Sequence, residues 1–525
     1  MAVVEAKRSI ESPEGSQGAL DAGERQAVSR SHSPERSSLL ISLFLCGILL
    51  IGFAFVQGRN IDASFSNDYD EGVYLSSARM LNLGHPLFAS VFSSQPPVFL
   101  ESLAVCFRVF GDSVAAGRGM TLFFACVNLV AIAWVAGRLL HPPAAPFAMT
   151  CLGLTLCFFQ NARNCTAEMP SLAFALVAIC LIVSPFWKWP LIRFGLSGAS
   201  FAAAVLTKLL VAPMLLPLLV VICVPQNGLH CRRELDGAAG WRSLLFRILA
   251  FGTGGCIFGI LVLMRYDFTS MYDQVVRFHE ASKQAYPLSL GRNAGTLKDY
   301  ALSGFGIVAS AVGGLVLLWW RNRWVCVWIS LWLCATVGFI LIHSPLFDRH
   351  LLLAAPPIAL AASASVSWRP LAGRGARLNF LGLYFAALSL ISLDSRSGEI
   401  DLSCMRGWRS LSRNFPAEQK RAIELIQGQT KPDEFVVSDE QMQAFRAGRC
   451  IPPWLCDTSF NRIRSGYLNE AEAIRASAGA RMVIIWTHRL QGLPGFEMWV
   501  ESHFNLVNDL DGKRIYVRKE NAPAL

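Results

Sequence analysis

Charged side chains are scarce in this sequence. They make up 16% of its 525 residues, whereas hydrophobic residues make up 53%. This composition is too apolar for an ordinary soluble protein, and the chain is too long to be a single membrane anchor. The net charge of +10 does not indicate a nucleic-acid partner, because Lys and Arg lie mainly in short loops between apolar runs, where they set membrane orientation. The chain is therefore predicted to be a polytopic membrane protein.

The usual sequence signatures of metal and nucleotide sites are also missing. No CxxC pair or Cys/His cluster has zinc spacing, and no glycine fingerprint follows a strand. Most of the fifteen cysteines lie inside apolar runs, where Cys behaves as a small hydrophobic residue. Internal repeats do not stand out, which weakens a transporter interpretation. The sequence gives no reason to expect a metal or another cofactor.

Long apolar segments dominate what is present, and they predict a mainly α-helical bundle of about eleven spans. Residues 1–38 are polar and predicted to be a disordered cytoplasmic N-terminus, followed by an uncleaved signal anchor at 39–57. The further spans are predicted at 113–136, 143–160, 169–186, 192–206, 209–224, 244–264, 301–320, 325–342, 351–367 and 378–394.

Basic residues give this bundle an orientation. With the N-terminus in the cytoplasm, every short basic loop lies inside. These loops carry Arg138, Lys188, Arg193, Arg232, Arg233, Arg242, Arg321, Arg323, Arg369, Arg374 and Arg377. The segments 58–112, 161–168, 265–300, 343–350 and the tail from 395 then lie outside.

The tail has the composition of a soluble domain. Strand patterns at 434–439, 481–486 and 515–519 alternate with helical patterns at 416–427 and 469–478. We therefore divide the chain into the N-terminus, a membrane domain at 39–394 and a small extracytoplasmic α/β domain at 395–525. Cys450 and Cys456 in this domain form either a disulfide or two free thiols, which the sequence leaves open.

Acidic residues cluster in the stretch NDYDEGVYLSSARM at 67–80. Asp68 and Glu71 have the spacing of a capping box at a helix start. Asp70 and Tyr74 lie four apart on one helix face, next to Glu71. A carboxylate held there could take a proton from an acceptor hydroxyl, as a general base in group transfer does. Farther on, Pro96 and Pro97 open an apolar pattern that predicts a helix along the membrane surface.

These motifs resemble a known family. DEGVYLSSARMLNLGHPLF, then QPPVFLESLAVCFRVFG and then AAGRGMTLFF look like the beginning of the GT-C glycosyltransferases of the protein O-mannosyltransferase and aminoarabinose transferase type, glycosyltransferase family 39. NARNCTAEMPSLAF (161–174), VLTKLLVAPMLLP (205–217) and HSPLFDRHLLLAAPPIAL (343–360) are similar to later segments of that family. The resemblance covers about residues 60–367.

The resemblance implies a function and a site. The donor would be a polyprenyl-phosphate sugar, and the acceptor a hydroxyl of a lipid, glycan or protein on the outer side of the inner (plasma) membrane, with inversion at the anomeric carbon. Asp70, as general base, and Glu71 would be catalytic. Substrate would be bound by Tyr74, Gln95, Arg118, Arg163, Glu168, Lys208, Asp348, Arg349 and His350.

One position departs from the family pattern. The residue before the two prolines is often Lys in the family, but here it is Gln95, which can hydrogen-bond a phosphate oxygen without neutralising it. Compensating charge has to come from elsewhere, and Arg265, Arg277 and His279 are further candidates. Lys208 and Arg265 could instead mark span ends by snorkelling.

Two other functional classes remain open at this stage. A transporter or flippase of a lipid-linked or charged solute would place ionisable residues deep within its spans, whereas the acids here cluster in outer loops. A receptor or assembly subunit would use the outer α/β domain for partners.

Overall fold

The structure is a computed structural model that describes residues 33–66, 68–184, 189–223, 241–366 and 415–520. Several predictions fall outside these residues: most of the polar N-terminus, the span at 378–394, the start of the outer domain, and the basic positions 188, 232, 233, 369, 374 and 377.

The part of the chain up to residue 366 is helical. Its first half contains α1 (Ser33–Gly58), α2 (Tyr69–Asn82), α3 (Pro97–Phe110), α4 (Val114–Leu139), α5 (Ala144–Gly153), α6 (Leu156–Asn161), α7 (Glu168–Val183) and α8 (Pro190–Thr207), a 3₁₀ helix (Leu209–Met214), and α9 (Leu215–Cys223). Its second half contains α10 (Trp241–Leu263), α11 (Phe268–Tyr272), a π-helical turn (Asp273–Arg277), α12 (Phe278–Ala285), α13 (Leu290–Ser303), α14 (Phe305–Arg321), α15 (Arg323–Ile342), a 3₁₀ helix (Asp348–Ala354), α16 (Ala355–Ser363) and a 3₁₀ turn (Ala364–Val366).

Fewer helices are of membrane-spanning length than the eleven expected. Within the described ranges, six are long and apolar enough to cross a membrane, and a bent pair would make seven. The segment expected at 143–160 is divided into α5 and α6. The segment expected at 301–320 falls on α14, which meets α13 at a bend of 90°. The predicted class, a mainly helical membrane protein, is confirmed, but the count of eleven is not.

Glycines allow two of the long helices to touch along their backbones. A methyl group on Gly198 of α8 would overlap the carbonyl oxygen of Phe251 in α10, and one on Gly254 of α10 would overlap that of Gly195. Small residues permit this close approach of apolar helices.

The C-terminal domain, which we call the outer domain after its predicted location, is described from residue 415. It contains α17 (Ala417–Gln429), β1 (Phe435–Ser438), α18 (Gln441–Arg446), a 3₁₀ turn (Pro453–Leu455), α19 (Phe460–Arg464), α20 (Glu470–Ser477), β2 (Ala480–Ile485), a 3₁₀ turn (Leu490–Gly492), α21 (Pro494–His503), β3 (Phe504–Leu510) and β4 (Lys513–Arg518). The strand order is β1-β2-β4-β3, with β1 and β2 parallel and the other pairs antiparallel. The three predicted strands are confirmed. The fourth, β3, was not predicted, because Asn and Asp interrupt the apolar residues of its sequence FNLVNDL and most of the strand is exposed.

The outer domain shares its hydrophobic core with α2 and α3. Phe107 of α3 stacks on Phe445 of α18 with ring centroids 5.9 Å apart. At Gly72 of α2, a Cβ atom would lie 2.7 Å from the backbone nitrogen of Met442. The helix that begins at the acidic stretch is therefore held directly against the outer domain. Cys450 and Cys456 are free thiols, so no disulfide joins them.

Candidate functional site

A cavity of about 720 Å³ lies between the outer domain and the helical bundle. It is lined by the start of α2, the loop before α3, α12 and α13. Further lining residues are Phe339, residues 343–347, Arg349 and His350, and the outer-domain residues Asp457, 459–461 and Arg489. Apart from the first residues after α8 and the end of α15, these are segments that the sequence assigned to one side of the membrane.

Asp68 and Asp70 begin α2 at the wall of this cavity. Asp68 is the N-cap residue, and its Oδ1 accepts the backbone N–H of Asp70 at 2.9 Å. The predicted cap is thus present, but the cap bond comes from Asp70 and not from Glu71. Capping leaves Oδ2 of Asp68 free for a second partner.

Arg349 is that partner, and it gathers three carboxylates. Its guanidinium nitrogens lie 2.6 Å from Asp68 Oδ2, 2.5 Å from Asp70 Oδ2 and 3.0 Å from Glu168 Oε1. Lys208 lies 2.6 Å from the same Glu168 oxygen. Ionised carboxylates and a planar guanidinium form strong, directional pairs of this kind. The cluster holds three acids and two cations in fixed positions around the start of α2.

The pKa of Asp70 is raised to about 6. Burial is the main cause, and the neighbouring Asp68 also raises it, while Arg349 opposes both. Arg349 contacts only Oδ2 of Asp70, and no side chain or backbone group of the described residues donates to its Oδ1. The side chain keeps 27% of its accessible surface. Asp70 thus combines a free oxygen with a pKa that suits proton transfer near neutral pH.

A second, basic group of side chains lines the cavity without an ion-pair partner among the described residues. It consists of His279 and Lys283 of α12, Arg292 of α13, and His343 and His350. Burial, with Lys208 and His343 nearby, lowers the pKa of His279 to about 4, so this ring is neutral at neutral pH. Gln95 faces the same cavity, and its side-chain amide donates to Ser94 Oγ at 3.4 Å.

Several of the predicted site residues are not on the cavity wall. Glu71 and Arg118 form a bidentate ion pair, with both N–O distances 2.7 Å, and both side chains are fully buried. Arg163 donates to the carbonyl oxygen of Asn60 at 2.9 Å, and Asp348 is exposed. Glu168 reaches the site only through Arg349 and Lys208.

The remaining predicted residues differ in their surroundings. Tyr74 lines the cavity and meets Phe99 edge to face, with ring centroids 5.0 Å apart. Arg277 lies 3.9 Å from Asp273, with 64% of its side chain exposed. Arg265 does not line the cavity.

The structure adds residues that the sequence did not single out. Lys283, Tyr286, Arg292, His343, Asp457 and Arg489 all line the cavity. Apart from His343, which begins the segment 343–360 that resembles the family, their only sequence signal was membership of segments predicted to lie outside. Within the described ranges, no group of three or more His, Cys, Asp or Glu side chains is placed to hold a metal ion.

Comparison with known proteins identifies this architecture. Residues 94–235 match the family model described as dolichyl-phosphate-mannose-protein mannosyltransferase. Solved structures of ArnT from Cupriavidus metallidurans are similar over nearly the whole chain. The form bound to undecaprenyl phosphate has a TM-score of 0.62 at 14% identity, over 91% of this chain and 98% of that one. The chain has the GT-C glycosyltransferase fold.

A second ArnT structure agrees with the first. The apo form of the same ArnT gives a TM-score of 0.61 at 14% identity, over 90% of this chain and 97% of that one. The Archaeoglobus fulgidus oligosaccharyltransferase AglB, solved with an inhibitory peptide and a dolichol-phosphate, gives 0.49 at 12% identity, over 92% and 75% of the two chains. That last similarity is too distant to support an argument about this chain. No curated protein matches the sequence.

Proposed function

We propose that the protein is a membrane glycosyltransferase that moves a sugar from a polyprenyl-phosphate donor to an acceptor hydroxyl, with Asp70 as general base. The observation that carries this proposal is the position of Asp70. Asp70 lines the cavity, Arg349 contacts only one of its two carboxylate oxygens, its pKa is raised to about 6, and basic side chains line the same space. The GT-C fold supports a glycosyl transfer, and the undecaprenyl phosphate bound by ArnT supports a lipid-phosphate donor.

The proposed reaction moves a proton to Asp70 and the sugar to the acceptor. Oδ1 of Asp70 accepts the proton of the acceptor hydroxyl, and the hydroxyl oxygen forms a bond to the anomeric carbon. The bond from that carbon to the phosphate oxygen breaks, and its electron pair leaves with the polyprenyl phosphate. Attack from the face opposite the phosphate inverts the anomeric carbon. Arg349 holds Oδ2, so it fixes the direction of the accepting oxygen.

The departing phosphate needs positive charge, which fixed cations in a partly dehydrated cleft supply most effectively. Gln95 cannot provide it, and Arg349 and Lys208 are already bound to carboxylates. Lys283 and Arg292 have no ion-pair partner among the described residues and line the same cavity. We assign them the charge that Lys supplies elsewhere in the family, with His279, His343 and His350 as neighbouring hydrogen-bonding groups.

The proposal includes an orientation. Arg138, Arg193, Arg242, Arg321 and Arg323 would lie in the cytoplasm, with the outer domain and the cavity on the far side of the inner membrane. A polyprenyl-phosphate donor suits that side, where nucleotide sugars are not expected.

Transfer of labelled sugar tests the proposal. Membranes containing the wild type, Asp70→Asn or Asp433→Asn are given polyprenyl-phosphate sugars carrying a radiolabel. Asp433 is an exposed carboxylate outside the cavity and serves as the matched control. We expect Asp70→Asn to lower the transfer rate by about 10²- to 10⁴-fold, the usual contribution of a general base. Equal rates for all three proteins would exclude Asp70 as the base, and no transfer by the wild type from any such donor would refute the enzyme class.

A further inference from the structure

Arg489 reaches the cavity from the outer domain, where it follows strand β2. Its backbone is fixed by Asp439, a fully buried residue just after β1. The carboxylate of Asp439 accepts backbone N–H groups of Trp486 at 2.6 Å, Thr487 at 3.0 Å and Arg489 at 2.9 Å. Because β1 and β2 are parallel neighbours, their carboxyl ends meet here, and this one acid sets the conformation of the loop that carries Arg489.

The guanidinium of Arg489 is fixed as well. It lies 3.6 Å from the centre of the Tyr69 ring, and one nitrogen donates to the carbonyl oxygen of Asp439 at 3.2 Å. A cation over an aromatic face is attracted by the ring. Tyr69 directly precedes Asp70 in α2. The stacked guanidinium is thus positioned beside the residue assigned as the base.

Arg489 differs from the other cations around Asp70 in having no direct ion pair among the described residues, although Glu440 is near enough to interact with it electrostatically. Arg349 and Lys208 are both in ion pairs, whereas no carboxylate of the described residues lies within ion-pair distance of Arg489. Asp457 lines the same wall, but its carboxylate accepts the backbone N–H of Ser459 at 2.8 Å. An ordered guanidinium with unused N–H donors in a cavity is suited to bind an anion.

We propose that Arg489 binds an anionic group of the acceptor, a phosphate or a carboxylate, and so selects which acceptor hydroxyl reaches Asp70. This inference rests on the proposed function. A lipid-linked donor approaches from the membrane, and α12 and α13 offer Lys283 and Arg292 for its phosphate. Arg489 belongs instead to the outer domain, on the wall that also carries Ser459 and Asn461. Cations from two different elements of the wall would thus bind the two substrates.

The planar fork of arginine matches two oxygens of a phosphate or carboxylate, so lysine is not an equivalent replacement. We expect Arg489→Gln to raise the amount of acceptor required for half-maximal transfer by about 10- to 100-fold, the usual effect of losing a charged hydrogen bond. Arg489→Lys should recover part of this loss. Hydrolysis of the donor by water should stay within about twofold of the wild-type rate, because water has no anionic group for Arg489 to bind.

The experiment uses the full-length protein in membranes. Transfer is measured while acceptor membranes are titrated at saturating polyprenyl-phosphate sugar, and again while the donor is titrated. Arg475→Gln, an exposed arginine of the same domain, is the control. Melting temperatures of the purified proteins show that each variant is folded. Added NaCl should weaken acceptor use by the wild type more than by Arg489→Gln, since salt screens a charge that only the wild type has.

The outcomes separate this inference from the proposed function. An increased acceptor requirement with unchanged donor requirement and hydrolysis supports Arg489 as an acceptor-binding residue. An increase in the donor requirement, an equal loss of hydrolysis, or no change at all would overturn it while leaving the glycosyltransferase proposal in place. A wild type that neither transfers nor hydrolyses any polyprenyl-phosphate sugar would overturn the proposed function, and this inference with it.

Discussion

At the residue scale, the pKa of Asp70 is set by effects that act in opposite directions. Burial and Asp68 raise its pKa, Arg349 lowers it, and the result is about 6. Asp68 is in turn fixed by capping α2, so the local fold and the chemistry of the site depend on the same side chains. The pKa of Asp70 is therefore sensitive to any change in Arg349.

The proposed base gives a defined pH dependence. A base works only when ionised, so kcat/KM should fall about tenfold per pH unit below about 6 and level off above about 7. Arg349→Gln removes the charge that lowers the pKa of Asp70, and the acidic limb should move to higher pH. Arg349→Lys keeps the charge and is the control. Rate profiles measured from pH 5 to 8 check this, and a limb that stays in place in Arg349→Gln would contradict it.

Several residues of the cavity wall could be predicted from the sequence. The sequence singled out Asp70, Tyr74, Gln95, Arg349 and His350, all of which line the cavity, because they belong to motifs at predicted membrane boundaries. Their catalytic and binding roles stay predictions.

Other predicted residues lie elsewhere for a physical reason. Glu71 shares the motif of Asp70, but one residue of helix turns it by about 100°, away from the cavity and toward Arg118. Sequence alone could not show which of two adjacent acids faces the cavity. Arg489 lies in no motif. The sequence could not place it at the cavity, because its position depends on Asp439, fifty residues earlier in the chain.

At the element scale, the helical bundle depends on close backbone contacts. Helices α8 and α10 meet where Gly195 and Gly198 face Gly254 and Gly255. The sequence predicted both spans but not their contact, because glycines in an apolar run do not reveal which neighbour they face. The span count failed for a related reason, since apolar composition continues across helix breaks such as the one between α5 and α6.

Substitution of the contact glycine tests this packing. Gly254→Ala would place a methyl group on the carbonyl oxygen of Gly195, and overpacking of this kind costs about 1–3 kcal/mol. We expect the melting temperature of the protein in detergent to fall by several degrees. Gly259→Ala in the same helix meets nothing within 4 Å and should leave stability unchanged or slightly higher. Equal melting temperatures for the two variants would refute the tight contact.

At the scale of the whole molecule, the outer domain contacts the rest of the chain at Phe92 and at Arg79 of α2. Arg462 is fully buried, lies 3.8 Å from the centre of the Phe92 ring, and donates to the carbonyl oxygens of Trp454 and Asp457, each at 2.6 Å. Arg79 of α2 donates to the carbonyl oxygens of Phe445 and Arg449. The sequence predicted a separate soluble domain, but not that the acidic helix would form part of its core.

Arg462 provides the test at this scale. Arg462→Met leaves two buried carbonyl oxygens without their donor, at a cost of about 1–3 kcal/mol each. The full-length protein should lose several degrees of melting temperature and become more sensitive to protease near residue 454. Arg475→Met, at an exposed position of the same domain, should change little. Matching protease patterns in both variants would show that Arg462 does not stabilise this part of the outer domain.

The contact at Gly72 connects the helix of the proposed base to the outer domain. Two residues after the proposed base, the backbone of α2 meets α18 with no room for even a methyl group. If the outer domain moved away from the bundle as a rigid body, it would move the start of α2 with it and displace the carboxylates around Arg349. We therefore expect the proposed base and the outer domain to move as one unit when substrates enter and leave.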